Sequence, residues 1–327
     1  MVYCLCDSEP YSIYGLKNRD TIIIEASEEI KTLSTVEEIL KKLSQLGMKK
    51  SDRLTIVGGG CLQDLGTLAA ALYMRGVHWD FWPTTLAAMG DSCIGGKSSI
   101  NVGNIKNLVG NFYPPGSIVV HTEFVKSLPP IELLAGASEI VKICFAHSEQ
   151  AFEKCLTILG SRNWQTNDNL LRELIFLSLT SKKYFIEIDE FDTAERKLLN
   201  FGHTFGHALE SATEYAIPHG VAVLIGMIAA TNHEKSQKSA ATNSLQSICI
   251  ELLKNFGEQV KPLLNKFNLT AFIEAIKNDK KNYSDCLTLI LPSLEGLVLL
   301  KDPLESGAID RAVSAILFSI ETVKNEI

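Results

Sequence analysis

The sequence predicts an α/β protein, with a parallel-sheet domain over residues 1–125 followed by a mainly α-helical domain over residues 126–327. Three observations carry that prediction. Up to about residue 120, short apolar β-branched runs alternate with amphipathic helical patterns, the signature of a parallel sheet covered by helices. Beyond about residue 121 long helical periodicities take over. The length, 327 residues, suits two domains of about 150 residues each.

Taken in order, Val2–Cys6 and Thr21–Glu25 read as buried strands. Val36, Ile39, Leu40, Leu43 and Leu46 keep helical spacing within Thr35–Leu46 and define one face. Arg53–Val57 is a strand stopped by Gly58-Gly59-Gly60, a helix runs through Leu62, Leu65, Leu68, Ala71 and Leu72, and Trp79–Trp82 starts another strand. In the second half Ile131–Gln150, Leu170–Tyr184, Ala194–Glu214 and Val221–Lys235 read as helices. Strand-like runs return at Cys286–Leu291 and Leu297–Leu300. His233–Ser247 is polar and rich in Ser, Lys and Asn, which predicts an exposed helix end and loop.

Composition narrows the function classes. Hydrophobic residues at 46% and charged ones at 21% exclude a disordered chain, a collagen-like one and a small disulfide scaffold. A net charge of −7 gives no general electrostatic reason to hold nucleic acid, so an anionic substrate needs a local basic pocket. The eight cysteines form no CxxC pair, and the first residues lack a basic and then apolar leader. The apolar run Val221–Ala230 is too short for the ~20 residues of a bilayer span. The expectation is a reduced, cytoplasmic protein without a membrane anchor.

Three groups of residues are candidates for chemistry. Gly58-Gly59-Gly60 follows a strand and opens a helix, where missing side chains let backbone N–H groups approach a phosphate. It is not GxGxxG, and a tight turn without a ligand explains a triple glycine equally well. In Gly202-His203-Thr204-Phe205-Gly206-His207 the two histidines are i,i+4 and share a helical face, with His219-Gly220 farther on. Glu139 and Lys142 form an i,i+3 pair on another helix. Imidazoles with one carboxylate suit Zn²⁺, and three protein ligands leave a coordination position open; polar-paired core histidines are the plainer alternative. The third group is Lys97, Lys106-Asn107, Lys142, Lys182 and Arg196 with Asn200. Solvated surface charge accounts for any one of them, whereas several converging would bind a phosphate and a carboxylate despite the acidic total.

Longer segments connect these groups. They are Gly58-Gly59-Gly60-Cys61-Leu62-Gln63-Asp64-Leu65, Met74-Arg75-Gly76, Pro83-Thr84-Thr85-Leu86, and Asp91-Ser92-Cys93-Ile94-Gly95-Gly96-Lys97. Lys106-Asn107-Leu108-Val109-Gly110-Asn111-Phe112-Tyr113, Glu139-Ile140-Val141-Lys142, Asn200 to His207, Pro218-His219-Gly220 and Asp279-Lys280-Lys281 follow. In this order and spacing, over nearly the whole chain, they resemble the 3-dehydroquinate synthase family of sugar phosphate cyclases. The resemblance implies a Rossmann-like NAD-binding domain, then a mainly helical metal- and substrate-binding domain, with the active site across a boundary near Thr122–Pro130. It implies Zn²⁺ (or Co²⁺) on Glu139, His203 and His219, with His207 beside the substrate in proton transfer or anchoring. Implied substrate contacts are Asp91, Lys97, Asn107, Lys142, Lys182, Arg196, Asn200 and one lysine of Lys280-Lys281, taken as Lys281. Arg75 matches an arginine that reaches the substrate phosphate of a neighbouring subunit, which implies a homodimer. Implied dinucleotide contacts are Asp7, Glu28, Lys31, Gly59, Gly60, Asp64, Thr84, Thr85 and Lys106.

The implied activity is conversion of 3-deoxy-D-arabino-heptulosonate 7-phosphate to 3-dehydroquinate and phosphate, a phosphate-eliminating lyase step of the shikimate pathway and aromatic amino-acid biosynthesis. Alternatives are another sugar phosphate cyclase of secondary metabolism, a Zn- and NAD-dependent polyol dehydrogenase, and a non-catalytic binding protein. The cation cluster favours a substrate bearing a carboxylate, and a simple alcohol has no need of it. The chain departs from the family pattern at Asp7-Ser8-Glu9, where Asp-x-Asn is usual, at Cys93, and at Asn104-Ile105; it is also short at the N-terminal end. The residue at position 9 predicts weakened or altered adenosine-ribose binding.

Overall fold

The computed structural model describes residues 1–15, 20–103, 105–278 and 285–327. The chain divides into two compact units, Met1–Leu128 and Pro129–Ile327.

The first unit is built on five strands: β1 (Val2–Asp7), β2 (Thr21–Ile24), β3 (Arg53–Gly58), β4 (His78–Pro83) and, after a hairpin, the short β7 (Ser117–Ile118). They lie in the order β2-β1-β3-β4-β7, and every neighbouring pair is parallel. Connections between parallel strands must cross over, and the helices α1 (Ser8–Tyr14), α2 (Leu33–Gln45) and α3 (Gly60–Leu72) provide them. Val36, Ile39 and Leu43 are the buried stripe of α2, as their spacing predicts, while Leu5, Leu54, Ile56 and Phe81 fill the sheet's interior. The order reverses between β1 and β3, so the crevice at their carboxyl ends, where Asp7 and Gly58-Gly59-Gly60 stand, is where an open α/β sheet binds its ligand. The intervening hairpin, β5 (Lys97–Val102) with β6 (Ile105–Phe112), is antiparallel. Its polar, glycine-broken sequence carries no alternating apolar signal, so it was not legible as strand.

The second unit is helical apart from one hairpin. Its elements are α4 (Pro130–His147), α5 (Glu149–Leu159), α6 (Asp168–Ile188), α7 (His203–Ala212), α8 (His219–Asn232), α9 (Ala240–Lys254), α10 (Gly257–Leu264) and α11 (Leu269–Lys277). The antiparallel pair β8 (Cys286–Ser293) and β9 (Gly296–Pro303) and the last helix α12 (Ala308–Glu326) complete it. Helix α8 is its axis: Gly220 to Thr231 are all buried, the pattern of a helix enclosed on every side. Among the described residues, no helix is long and apolar enough to cross a membrane.

Three readings are corrected, two of helices and one of a loop. Ile131–Gln150 is two helices, because Ser148 turns extended and its hydroxyl accepts from Ala151 N–H to cap α5. Ala194–Glu214 is a 3₁₀ turn at Glu195–Asn200 followed by α7, because Gly202 takes a left-handed φ of 77° between them. Gly202 therefore stands just before the helix that carries the two histidines. The stretch expected to be an exposed loop through Ser247 turns helical at Ala240, where Ser239 and Thr242 form a reciprocal cap and Leu245 is fully buried.

Candidate active site

In the second unit, glycines set how closely the site-bearing helices approach. A Cβ on Gly220 would lie 2.3 Å from the Ala135 carbonyl oxygen of α4, and one on Gly226 would lie 2.1 Å from that of Gly202, just before α7. Both positions admit no side chain, so α4, α7 and α8 meet backbone to backbone. That approach gathers His203 and His207 from α7 and His219 from the first residue of α8. One ring nitrogen from each histidine lies within 4.8 Å of the others. Their ring centroids are 5.2 to 5.5 Å apart. From α4, Glu139 Oε1 comes to 3.5 Å from His219 Nε2.

Neighbouring acceptors fix the tautomers. His203 Nδ1 lies 3.2 Å from the Phe201 carbonyl oxygen, and His219 Nδ1 lies 3.0 Å from Glu210 Oε2. Both partners only accept, so each Nδ1 carries a proton and each neutral ring keeps its lone pair on Nε2. Burial pulls the His219 pKa down, but the hydrogen bond it donates to Glu210 and the charges of Glu210 and Glu139 outweigh it, and the net shift is upward. Glu139 and Lys142 are both buried and paired, Lys142 Nζ donating to Glu139 Oε2. Glu139 Oε1 is buried without a hydrogen-bond partner. A carboxylate oxygen in that condition costs free energy unless a cation faces it. Two imidazole lone pairs and this oxygen are a donor set suited to a zinc-like divalent ion, and the residues present fit one.

Reading from sequence missed Glu210. It is buried on α7, and its contact with His219 depends on the crossing of α7 and α8, not on spacing. A carboxylate that orients a ligating imidazole is the usual outer partner of a metal-bound histidine. Other predicted contacts stand around one small apolar cluster. Ile143, Phe185 and Leu199, with Ala146 and Leu198 against them, join α4, α6 and the 3₁₀ turn. Those elements carry Lys142, Lys182, and Arg196 with Asn200, and the first three of these side chains are buried. Asn200 Nδ2 donates to the Lys197 carbonyl. Arg196 Nη1 donates to the Glu190 carbonyl at 2.5 Å.

In the first unit the glycine turn is tight: a Cβ on Gly59 would lie 2.9 Å from Thr85 Cγ2, whereas one on Gly60 would meet nothing nearer than 3.7 Å. Thr84 N–H donates to the Gly58 carbonyl, and Thr85 Oγ1 accepts from Ala88 N–H, so the predicted threonines shape the turn after β4. Asp7, at the carboxyl end of β1, accepts from Ala26 N–H, and burial raises its pKa. Lys31 is buried; its Nζ donates to Asp64 Oδ2 at 3.1 Å and Asn107 Oδ1 at 2.8 Å, and lies 3.5 Å from Glu28. Asp64 Oδ1 accepts from Ser99 N–H. Asn101 closes the ring, donating to Glu28 and accepting from Asn107 N–H. Burial pushes the Asp64 pKa up to about 6 against the pull of Lys31. Asn107, expected with the substrate contacts, thus joins Glu28, Lys31 and Asp64, and its φ of 52° is one that asparagine tolerates.

The other predicted residues are placed as follows. Asp91 sits in a helical turn at Ala88–Ser92, and Lys97 Nζ lies 5.9 Å from the centre of the Phe112 ring. Lys106 is half-buried on β6. Arg75 is exposed in a turn before β4, at the opposite end of that strand from Thr84. Six strand residues put about 20 Å between those ends. Lys281 lies outside the described residues.

A parallel-sheet unit with a crevice at the carboxyl ends of its strands and a helical unit with a histidine–carboxylate cluster define a two-unit protein, α/β and then helical. The chain belongs to the 3-dehydroquinate synthase family. Residues 21–135 match the model of the 3-dehydroquinate synthase N-terminal region and residues 136–282 that of its C-terminal region. A 3-dehydroquinate synthase of Dictyoglomus thermophilum is 34% identical over 298 residues, 90% of this chain and 82% of that protein. One of Streptococcus equi subsp. equi is 34% identical over 271 residues, 82% of this chain and 73% of that protein. Among solved structures, the fold is shared with the 2-epi-5-epi-valiolone synthase of Streptomyces hygroscopicus with NAD⁺ and Zn²⁺ bound. Its TM-score is 0.82 at 22% identity, over 98% of this chain and 91% of that one. It is shared also with 2-deoxy-scyllo-inosose synthase complexed with carbaglucose-6-phosphate, NAD⁺ and Co²⁺, at a TM-score of 0.81 and 23% identity, over 100% and 90%.

Proposed function

We propose that the chain is a 3-dehydroquinate synthase that converts 3-deoxy-D-arabino-heptulosonate 7-phosphate to 3-dehydroquinate and phosphate, with NAD and a divalent metal, Zn²⁺ or Co²⁺, as cofactors. The observation that carries this reading is the cluster of His203, His207 and His219 with Glu139 against His219 and the buried Lys142 paired to Glu139, in a member of that family whose Lys182 and Arg196 are buried too. Simple alcohol oxidation has no use for so many buried cations, whereas a substrate with a carboxylate and a phosphate does.

Glu139, His203 and His219 would hold the metal, with Glu210 fixing the His219 ring. Gly59, Gly60, Thr84, Thr85, Asp7 and the ring of Glu28, Lys31 and Asp64 form the dinucleotide side. When bound, NAD⁺ supplies reversible hydride acceptance and the metal polarises the reacting hydroxyl. Lys142, Lys182, Arg196 and Asn200 position the anionic ends of the substrate, and His207 holds or moves a proton beside it. Arg75 faces away from its own carboxyl-end crevice, so it serves the site of a second copy, and the enzyme is a homodimer. The pathway is that of shikimate and aromatic amino acids, in the cytoplasm.

The test supplies the heptulosonate phosphate with NAD⁺ and metal. Phosphate release without net NADH is expected. Release of neither product by folded protein, or net NADH from a polyol, overturns the reading.

A further inference from the structure

We propose that Asp189 is a positioning residue, whose carboxylate gathers the backbone of Thr193, Ala194 and Arg196 into a fixed loop and so sets where the Arg196 guanidinium stands. The inference rests on the reading of Arg196 as a substrate contact and goes beyond it, since Asp189 itself touches no reacting group.

Asp189 is the C-cap of α6, the helix that carries Lys182 about two turns earlier, and it is buried. Its two oxygens take four hydrogen bonds. Oδ1 accepts from Thr193 N–H at 2.9 Å and Thr193 Oγ1 at 3.1 Å, and Oδ2 accepts from Ala194 N–H at 2.8 Å and Arg196 N–H at 3.1 Å. One side chain therefore fixes three backbone amides within four residues. The loop it closes is not one that the chain adopts by default: Asp192 has a φ of 59°, and Ala194 lies at φ −136° and ψ −110°. Backbone in such regions persists only where surrounding bonds over-determine it. The same loop returns the Glu190 carbonyl to Arg196 Nη1, so both ends of the arginine, its amide and its guanidinium, are tied to the segment Asp189–Glu190. The N–H groups concentrate partial positive charge on the carboxylate, which is why its pKa is held down to about 2 although burial alone would raise it.

The reciprocal arrangement makes the charge essential. In Asp189→Asn the side chain keeps its size, but an NH₂ group replaces one acceptor and confronts the N–H of Thr193 or those of Ala194 and Arg196. The loop then relaxes, and Arg196 loses its register by the ångström or so that matters for a bidentate contact.

The experiment compares Asp189→Asn, Asp189→Glu, Thr193→Ala and Arg196→Ala with the wild-type enzyme, in the full chain. Asp189→Asn is expected to raise the KM for the heptulosonate phosphate about tenfold or more, to change kcat less, and to leave metal stoichiometry and NAD affinity intact. Hydrogen exchange at the amides of Thr193, Ala194 and Arg196 should accelerate at least tenfold in the same variant. Asp189→Glu, which keeps the charge, should recover part of both. Should Asp189→Asn fail to fold, Thr193→Ala removes one of the four bonds and is expected to show the same signature more weakly. Wild-type KM in variants whose loop amides have lost protection would overturn the proposal, as would unchanged protection. Wild-type kinetics in Arg196→Ala would instead overturn the assignment of Arg196 to the substrate; the exchange data would still report whether Asp189 builds the loop.

Discussion

The two polar groups of this protein are organised in opposite ways. Around Lys31 in the first unit, donors meet acceptors: the ammonium faces Asp64, Asn107 and Glu28, and Ser99 and Asn101 complete the ring. Around His219 in the second unit, acceptors converge. One ring nitrogen each of His203, His207 and His219 lies within 4.8 Å of the others, and the buried Glu139 Oε1, 3.5 Å from His219 Nε2, has no hydrogen-bond partner. The first arrangement is complete within the chain and shapes a crevice. The second leaves a buried carboxylate oxygen without a partner, which the proposed cation would satisfy. Removing a residue from the first should therefore cost stability, and removing one from the second should cost a ligand.

The largest effect expected is at the cluster. His203→Ala or His219→Ala should lose the metal from purified protein and lower activity by more than about a hundredfold, the upper end of what losing even an outer partner costs. The stability of the metal-free protein should change by only about 1 kcal/mol or less. Metal analysis with chemical denaturation checks both halves. Retention of metal in either variant would remove that histidine from the ligand set, and a large loss of apo stability would erase the contrast with Lys31.

Next in size is the ring itself. Lys31→Met leaves the half-buried Asp64 carboxylate without its cation, which should destabilise the fold by about 1–3 kcal/mol. The double variant Lys31→Met, Asp64→Asn should recover part of that loss, because the stranded charge goes with its partner. Denaturant titration decides it. A single variant as stable as wild type would show the ring to be incidental.

What could be read from the sequence divides along the same line. The histidines were legible because i,i+4 spacing on a helix is a local fact, and so was the α2 stripe. Glu210 was not, since its value depends on α7 crossing α8 where Gly202, Gly206 and Gly226 permit close approach. Asn107 was placed with the substrate by family likeness; the antiparallel hairpin that carries it to Lys31 has no apolar alternation to betray it. The break in Ala194–Glu214 was hidden for a related reason. Its apolar periodicity continues through Leu198, Leu199 and Phe201, and the left-handed φ of Gly202 overrides it.

A third variant separates charge placement from metal holding. Arg196→Ala should lower kcat/KM for the heptulosonate phosphate by about 10- to 100-fold, the worth of one charged hydrogen-bonding group. Metal content and NAD affinity should stay as they are. Equal loss of metal would mean that the apolar cluster of Ile143, Phe185 and Leu199 couples the two, and that the arginine supports the histidines through packing.

The smallest effect is a pH signature, and it asks whether the second unit also contains a self-satisfied group. Asp189 is one: burial would raise its pKa, but the N–H groups of Thr193, Ala194 and Arg196 win and hold it at about 2, below its ordinary 3.8. A carboxyl depressed by folding adds stability that is fully present above the unfolded pKa and is lost as pH falls through the folded one. The shift corresponds to at most about 2.5 kcal/mol, and nearby solvent reduces that to about 1–2 kcal/mol. The stability gap between wild type and Asp189→Asn should be constant above about pH 5 and should narrow between about pH 4 and pH 2. Denaturation curves across that range provide the measurement. A gap that stays the same down to pH 2 would mean that the loop is held by packing, and that the carboxylate charge has no part in it.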